Sequence, residues 1–317
     1  MARTVSARSL HWAALNEFGF AAGMRFMFWI CRVFGRWPFR IVLYPVLAWY
    51  VLTKPLPRKA SRDYLRRMAR FSGRAQPGVI RHFAAFGESM LDKMLLWGGL
   101  FKFDGVELHG REVMAEALRR GRGGLLICSH LGNMELCRVL SRRRQDIKLT
   151  VLVHTKHARA FNQMMGRVNP DSQLNLLQVT EMNPATAMML SERVARGEFV
   201  VIAGDRVPVS PSPRVAVTDF LGEPAAFPVG PYVLASILQC PVYLLFSTRR
   251  GSHSDVYFES FREAVRVPRK ERDAALAALA VDYAKRLEHH CARTPLQWFN
   301  FYDFWHLPEL ERSDAPG

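Results

Sequence analysis

Paired cysteines, acidic side chains and long apolar runs are all scarce in this chain of 317 residues. The five cysteines (Cys31, Cys128, Cys137, Cys240 and Cys291) form no CxxC pair, and three of them sit in apolar runs. No zinc site is apparent in that pattern, which reads as reduced, buried thiols in a cytoplasmic protein. The apolar block Ile41 to Leu52 is 12 residues long, short of the ~20 that cross a bilayer unaided. No small-residue cleavage site follows it, which argues against a removed signal peptide. Acidic residues number 28 against 44 Lys plus Arg, a formal charge of +16. A polyanionic partner follows, and nucleic acid, anionic lipid headgroups and an acidic carrier protein all meet that description. Internal repeats and low-complexity tracts are absent. So is any helix-turn-helix, zinc-finger or RNA-binding motif: the basic residues are spread through apolar and aromatic blocks, which disfavours nucleic acid.

What is present begins with a basic, aromatic front end. The first 62 residues hold ten basic residues and a single acid, Glu17. Arg25, Arg32, Arg36 and Arg40 interrupt or flank two apolar blocks, Phe26 to Cys31 and Ile41 to Leu52. With Trp29, Trp37, Tyr44, Trp49 and Tyr50, this is the composition of an element lying among lipid headgroups. Spanning the bilayer would require bending at Pro45 and snorkelling of Arg40 and Lys54. Residues 1–60 therefore read as a helical membrane-associated segment, 61–308 as the main domain and 309–317 as a frayed tail. Within this scheme Lys54 to Lys59 (KPLPRK) is a break. Ser61 to Arg74 is a basic helix and Val79 to Leu100 a longer one with a Met and aromatic stripe. Phe103 to His109 alternates like a strand, and Gly110 to Arg120 is helical.

The centre of the chain is Gly123 to Leu140, GGLLICSHLGNMELCRVL. Leu125 to Cys128 is short, apolar and turn-bounded, the pattern of a buried strand. Met134 to Leu140 reads as one helix. Between them Ser129-His130-Leu131-Gly132-Asn133 occupies the carboxyl end of a strand, where α/β sheets bind ligands. On one continuous helix His130 and Glu135 would lie roughly 140° apart. They meet only if His130 sits in the turn and Glu135 in the first helical turn, with Asn133 or Ser129 as cap. A carboxylate against an imidazole fixes its tautomer, as a general base requires.

HLGNME after an apolar strand resembles the H-x4-E signature of the bacterial lipid A biosynthesis (late) acyltransferase family, a branch of the glycerolipid acyltransferase superfamily. The resemblance spans roughly Val79 to Trp305. It implies an α/β fold with a mixed β-sheet flanked by helices, and a catalytic dyad of His130 and Glu135. It also carries over Arg167, which follows Gly166 as a functional arginine follows a similarly placed GR in the family. Asp205 matches the first position of a DxDxGP-like loop and is read as orienting Arg167 or His130, or as fixing the loop. The pattern departs afterwards, with Arg206 and Pro208, which leaves the acceptor open. Asn133, Arg167, Asp205 and Arg206 form the expected substrate-binding set. Asp219 to Leu245 resembles a further family block, and the aromatic segment Thr294 to Trp305 either covers the core or lines an acyl groove. His154 and His157 make an H-x2-H pair, but no second ligand pair follows, so no metal is expected.

The implied chemistry is acyl transfer from an acyl thioester to a hydroxyl of a lipid or glycolipid acceptor. The donor would be acyl-acyl carrier protein or acyl-CoA, and no cofactor is required. Acyl carrier protein and anionic membrane lipid are the implied partners, and the cytoplasmic face of the bacterial inner membrane the implied place. Hydrolysis at the same base and a non-enzymatic basic membrane-binding protein are the alternatives.

Overall fold

The computed structural model describes residue 26 and residues 29–143, 147–153, 175–178, 183–208 and 213–307. The expected Ala160 to Arg167 helix, with Arg167, His154 and His157, falls outside them.

Among the described residues a mixed sheet of seven strands is flanked by helices, as expected. Its members are β1 (Val106–His109), β2 (Leu125–Cys128), β3 (Leu149–Val153), β4 (Asn175–Gln178), β5 (Phe199–Ala203), β8 (Val242–Arg250) and β9 (His253–Arg262). They run in the order β1-β9-β8-β2-β5-β3-β4. Only the β8–β9 hairpin is antiparallel; the other neighbours are parallel. A separate antiparallel pair is formed by β6 (Val215–Phe220) and β7 (Glu223–Pro228). The central strands LLIC and FVVIA are continuous apolar runs because both faces of the sheet are covered.

Alternation of side chains along each strand feeds two separate cores. Leu125, Ile127, Val200 and Ile202 face one apolar cluster, completed by helices α2 (Pro55–Ser72), α6 (Pro184–Ala195), α7 (Gly230–Leu238) and α8 (Arg272–Arg293). Leu126, Phe199 and Val201 face the other, against α4 (Arg111–Arg119), α5 (Met134–Arg143) and the end of α3 (Val79–Trp97). Burying a leucine- or phenylalanine-sized side chain contributes about 1.5–3 kcal/mol, so these layers fix the strand ends that carry the site.

In the front end, α1 (Trp37–Thr53) continues through Pro45. It docks on α3 through Leu47 and Val51 near Phe83. Ion pairs reinforce the dock: Arg40 with Glu88 at 2.6 Å, and Arg36 with Asp92 at 2.6 Å. The outer side of α1 leaves Trp37, Ile41, Val42, Trp49 and Leu52 exposed. No described helix is long and apolar enough to cross a membrane. The expected break at Lys54 to Lys59 is much shorter. Lys54 alone leaves the helical run, and Pro55 opens α2, because proline's fixed φ and missing N–H suit the first helical position.

Candidate active site

The site is set by strand register. Parallel β2 and β5 pair with Cys128 opposite Ala203. His130 lies two residues beyond the first strand and Asp205 two beyond the second, so the two side chains emerge side by side at the carboxyl edge of the sheet. His130 Nδ1 lies 2.7 Å from Asp205 Oδ1, and the His130 backbone N–H donates to Asp205 Oδ2 at 2.7 Å. Trp298 Nε1 donates to the same Oδ2 at 2.9 Å.

Asp205 is completely buried, whereas the His130 side chain is 33% exposed. Burial pushes the Asp205 carboxyl up, but the charge of His130 and the bonds from His130 and Trp298 outweigh it. They hold the group below the usual carboxylate value. An ionised Asp205 accepts a hydrogen bond from Nδ1–H, which leaves the Nε2 lone pair of His130 free to take a proton.

The approach is close, and two glycines permit it. Gly132 has φ +64, and a Cβ there would fall 1.9 Å from Ser247 O. At Gly204 a Cβ would fall 2.6 Å from Ile127 Cγ2 and 2.8 Å from Tyr283 Cζ. Beneath them the Tyr283 hydroxyl and the Gly204 N–H both donate to Cys128 O, at 2.9 and 2.8 Å. Burial pushes the thiol of Cys137 up to about 12 and raises that of Cys128 strongly as well. Neither offers a thiolate nucleophile at neutral pH.

Glu135 does not meet His130 in this structure: its side chain is engaged elsewhere. Its backbone N–H is capped by Asn133 Oδ1 at 3.1 Å, which starts α5 at that point. The carboxylate then accepts from Trp97 Nε1 at 2.6 Å and pairs with Arg138, one turn along its own helix. An i,i+3 partner and a tryptophan on α3 therefore occupy the acid that the five-residue spacing assigned to the imidazole. Asn133, expected to bind substrate, gives its side-chain oxygen to this cap. Arg206 donates from Nε to Asn300 Oδ1 at 2.8 Å and from Nη2 to Phe299 O at 3.0 Å.

The C-terminal aromatic segment supplies what the sequence reading left open. Residues 297–299 run antiparallel to 130–132: Gly132 N–H donates to Gln297 O at 2.8 Å, and Phe299 N–H to His130 O at 2.9 Å. The Gln297 amide bonds both backbone groups of Arg249, at 2.7 and 2.6 Å. His82 on α3 bridges Ser61 at 2.9 Å and Trp298 O at 3.1 Å. Burial lowers the His82 pKa to about 4, so it stands neutral. Trp298 thus belongs to the site, and its only trace in the sequence is its place in the aromatic segment Thr294 to Trp305.

Among the described residues, Glu107, His109 and Asp255 alone have the spacing of metal ligands. Asp255 already bonds Arg250 through both oxygens, at 2.7 and 2.8 Å, and His109 at 2.9 Å. A cavity of about 440 Å³ lies along the seam between α1, α3 and β8. Gly132 and Asn133 line it, together with Arg40, Glu88 and Arg249; His130 and Asp205 do not.

No curated protein sequence matches the chain. A family model described as bacterial lipid A biosynthesis acyltransferase matches residues 86–306, a stretch that includes His130, Glu135, Asp205 and Trp298.

Proposed function

Because the chain belongs to the bacterial lipid A biosynthesis acyltransferase family, we propose that it moves a fatty acyl chain from an acyl thioester to a hydroxyl of a lipid or glycolipid acceptor. The observation that carries this reading is the partly exposed His130 held at Nδ1 by the buried Asp205. His130 Nε2 takes the acceptor's hydroxyl proton as the oxygen attacks the thioester carbonyl. A tetrahedral intermediate forms and collapses, the C–S bond breaks, and the departing thiolate receives the proton from Nε2. The acceptor oxygen is itself the nucleophile, so no acyl-enzyme is needed. Arg167 and nearby backbone amides stabilise the oxyanion. Glu135 enters as a positioning residue: it ties the first turn of α5 to Trp97 on α3.

The donor is acyl-acyl carrier protein, an acidic partner suited to a chain of charge +16. The exposed tryptophans and aliphatic residues of α1, beside Arg32, Arg36 and Arg40, lie on the cytoplasmic face of the inner membrane among anionic headgroups. Flotation with anionic vesicles that weakens as salt is added is the matching outcome. Binding indifferent to both lipid charge and salt would contradict it.

Mass spectrometry of total lipids from cells expressing wild type or His130→Ala tests the chemistry. A lipid heavier by one acyl chain, found with wild type alone, supports transfer and names the acceptor. Release of free fatty acid without any acylated lipid would point to hydrolysis. Identical lipidomes from folded, membrane-bound proteins would refute the enzymatic reading in that host.

A further inference from the structure

The cavity beside the histidine loop has no part in the mechanism above, yet strand register brings it next to His130. β8 pairs with β2 on the side away from β5, with Cys128 opposite Leu245. Two residues beyond these lie His130 and Ser247, and neighbouring strands are about 4.8 Å apart. Leu245 faces the core that includes the end of α3, so alternation turns Ser247 and Arg249 toward the same side. Gly132, Ser247 and Arg249 line one wall of the cavity, Glu88 and Asp92 of α3 a second, and Tyr44 of α1 a third. Its volume, about 440 Å³, falls in the range of small-ligand pockets.

The charges in this cavity are engaged with one another. Arg249 reaches Asp92 at 3.0 Å and Glu88 at 3.4 Å, and Arg40 reaches Glu88 at 2.6 Å. A phosphate seated among them would face two carboxylates and compete with both for the same guanidinium groups. The neutral groups are not engaged. Ser247 is 1% exposed, and its hydroxyl makes no hydrogen bond among the described residues. Asn133, also in the lining, commits Oδ1 to the helix cap, and its Nδ2 makes no bond among them either. A buried polar group left without a partner costs free energy. Beyond one ion pair, a carboxylate keeps further lone pairs and a guanidinium further N–H groups. The cavity therefore presents donors and acceptors in mixture, with little charge to neutralise. Its α1 wall also meets the apolar face of that helix. Trp37, Ile41 and Tyr44 are four and three residues apart, a spacing that shares one side, and all three are exposed.

We propose that this cavity seats the headgroup of the lipid acceptor, and that the headgroup is uncharged and rich in hydroxyls, as a sugar is. Its hydroxyls donate to Asp92 and Glu88, accept from Asn133 Nδ2 and Arg249, and pair with the Ser247 hydroxyl, and no ion pair has to break. The acyl tails lie along the apolar face of α1. His130 does not line the cavity, so the hydroxyl to be acylated projects past Gly132 toward Nε2, held in place by the rest of the headgroup. The assignment to the acceptor rests on the acyltransferase reading; the sugar site itself does not.

Octyl β-glucoside and octyl phosphate, each below its micelle-forming concentration, carry the two headgroup chemistries on one tail. Titration calorimetry on the full chain should show the glucoside binding tighter by about tenfold or more, because the carboxylates oppose a phosphate. Ser247→Val and Ser247→Thr have the same shape and separate the hydroxyl from the space it fills. Ser247→Val should weaken the glucoside roughly three- to tenfold, whereas Ser247→Thr should keep most of the affinity. The wild-type comparison decides the headgroup class even where a Ser247 variant does not fold. In the transfer assay the glucoside should compete with the lipid acceptor and leave the KM for the thioester unchanged. Glucoside binding that Ser247→Val weakens, in a chain that transfers no acyl group, would keep the sugar site and remove the acyltransferase reading. Three results would overturn the proposal in an active enzyme: octyl phosphate binding as well as the glucoside or better, competition against the thioester alone, or a glucoside affinity that a folded Ser247→Val leaves unchanged.

Discussion

Asp205 and Glu135 both adjoin the loop that carries His130, and they differ in almost every physical respect. Asp205 is fully buried at the end of a central strand and collects three N–H donors, two from His130 and one from Trp298. Glu135 lies in the first turn of a helix and is engaged with a tryptophan and an arginine. The first arrangement orients an imidazole and leaves its other nitrogen available. The second ties α5 to α3 and keeps the loop in place. Proximity in sequence belongs to Glu135, five residues from His130; proximity in space belongs to Asp205, 75 residues away. Register between parallel strands explains the difference, because equal overhangs on neighbouring strands bring distant residues together.

Substitutions break this comparison at different points. Asp205→Asn is expected to have the largest effect, a fall in kcat on the order of 10³–10⁴-fold with KM nearly kept. The amide can present its N–H to Nδ1, and the imidazole then loses its productive tautomer. Steady-state kinetics on folded protein checks this. Glu135→Gln should act mainly on stability, by about 1–3 kcal/mol, because the contact with Arg138 loses its charge attraction while Trp97 keeps an acceptor. Its kcat loss should stay well below that of Asp205→Asn; denaturant melts and rates on the same preparations separate the two.

A pH-dependent effect comes from His82, which holds Trp298 in place. Its folded pKa, about 4, lies below the unfolded value, so the unfolded chain binds the extra proton between about pH 6.5 and 4. His82 therefore contributes its full stabilisation above about pH 6.5 and loses it as pH falls toward 4, by up to about 3 kcal/mol. In His82→Gln this segment of the stability–pH curve should flatten. An unchanged slope would mean that other groups produce it.

Much of this arrangement was legible from composition and pattern. The apolar runs of β2 and β5 mark buried strands, and each ends in a polar loop carrying one member of the pair. His130 and Asp205 were therefore visible as separate candidates. Their partnership stood only as one of three alternatives that the resemblance left for Asp205, because choosing it depends on β2 lying next to β5, a non-local pairing that no local periodicity encodes. The same reason hid Trp298: its role comes from a bridge between residues 131 and 298. Glu135 was assigned to His130 because a turn before the helix made contact geometrically feasible. That argument had no means of weighing Trp97, on another helix, against the imidazole. The KPLPRK stretch was read as a break because proline disrupts helix interiors, whereas at a first turn it is compatible.

A double-mutant cycle tests the central claim most directly. Rates would be measured for His130→Gln, Asp205→Asn, Glu135→Gln and the two double variants that contain His130→Gln. If Asp205 acts through the imidazole, Asp205→Asn should add almost nothing once His130 is replaced, giving a coupling energy that accounts for most of its single effect. Glu135→Gln should instead lower the residual rate by about the same factor with or without His130. Strong coupling of His130 to Glu135, together with an Asp205→Asn effect that simply adds to that of His130→Gln, would contradict the account and restore the five-residue dyad.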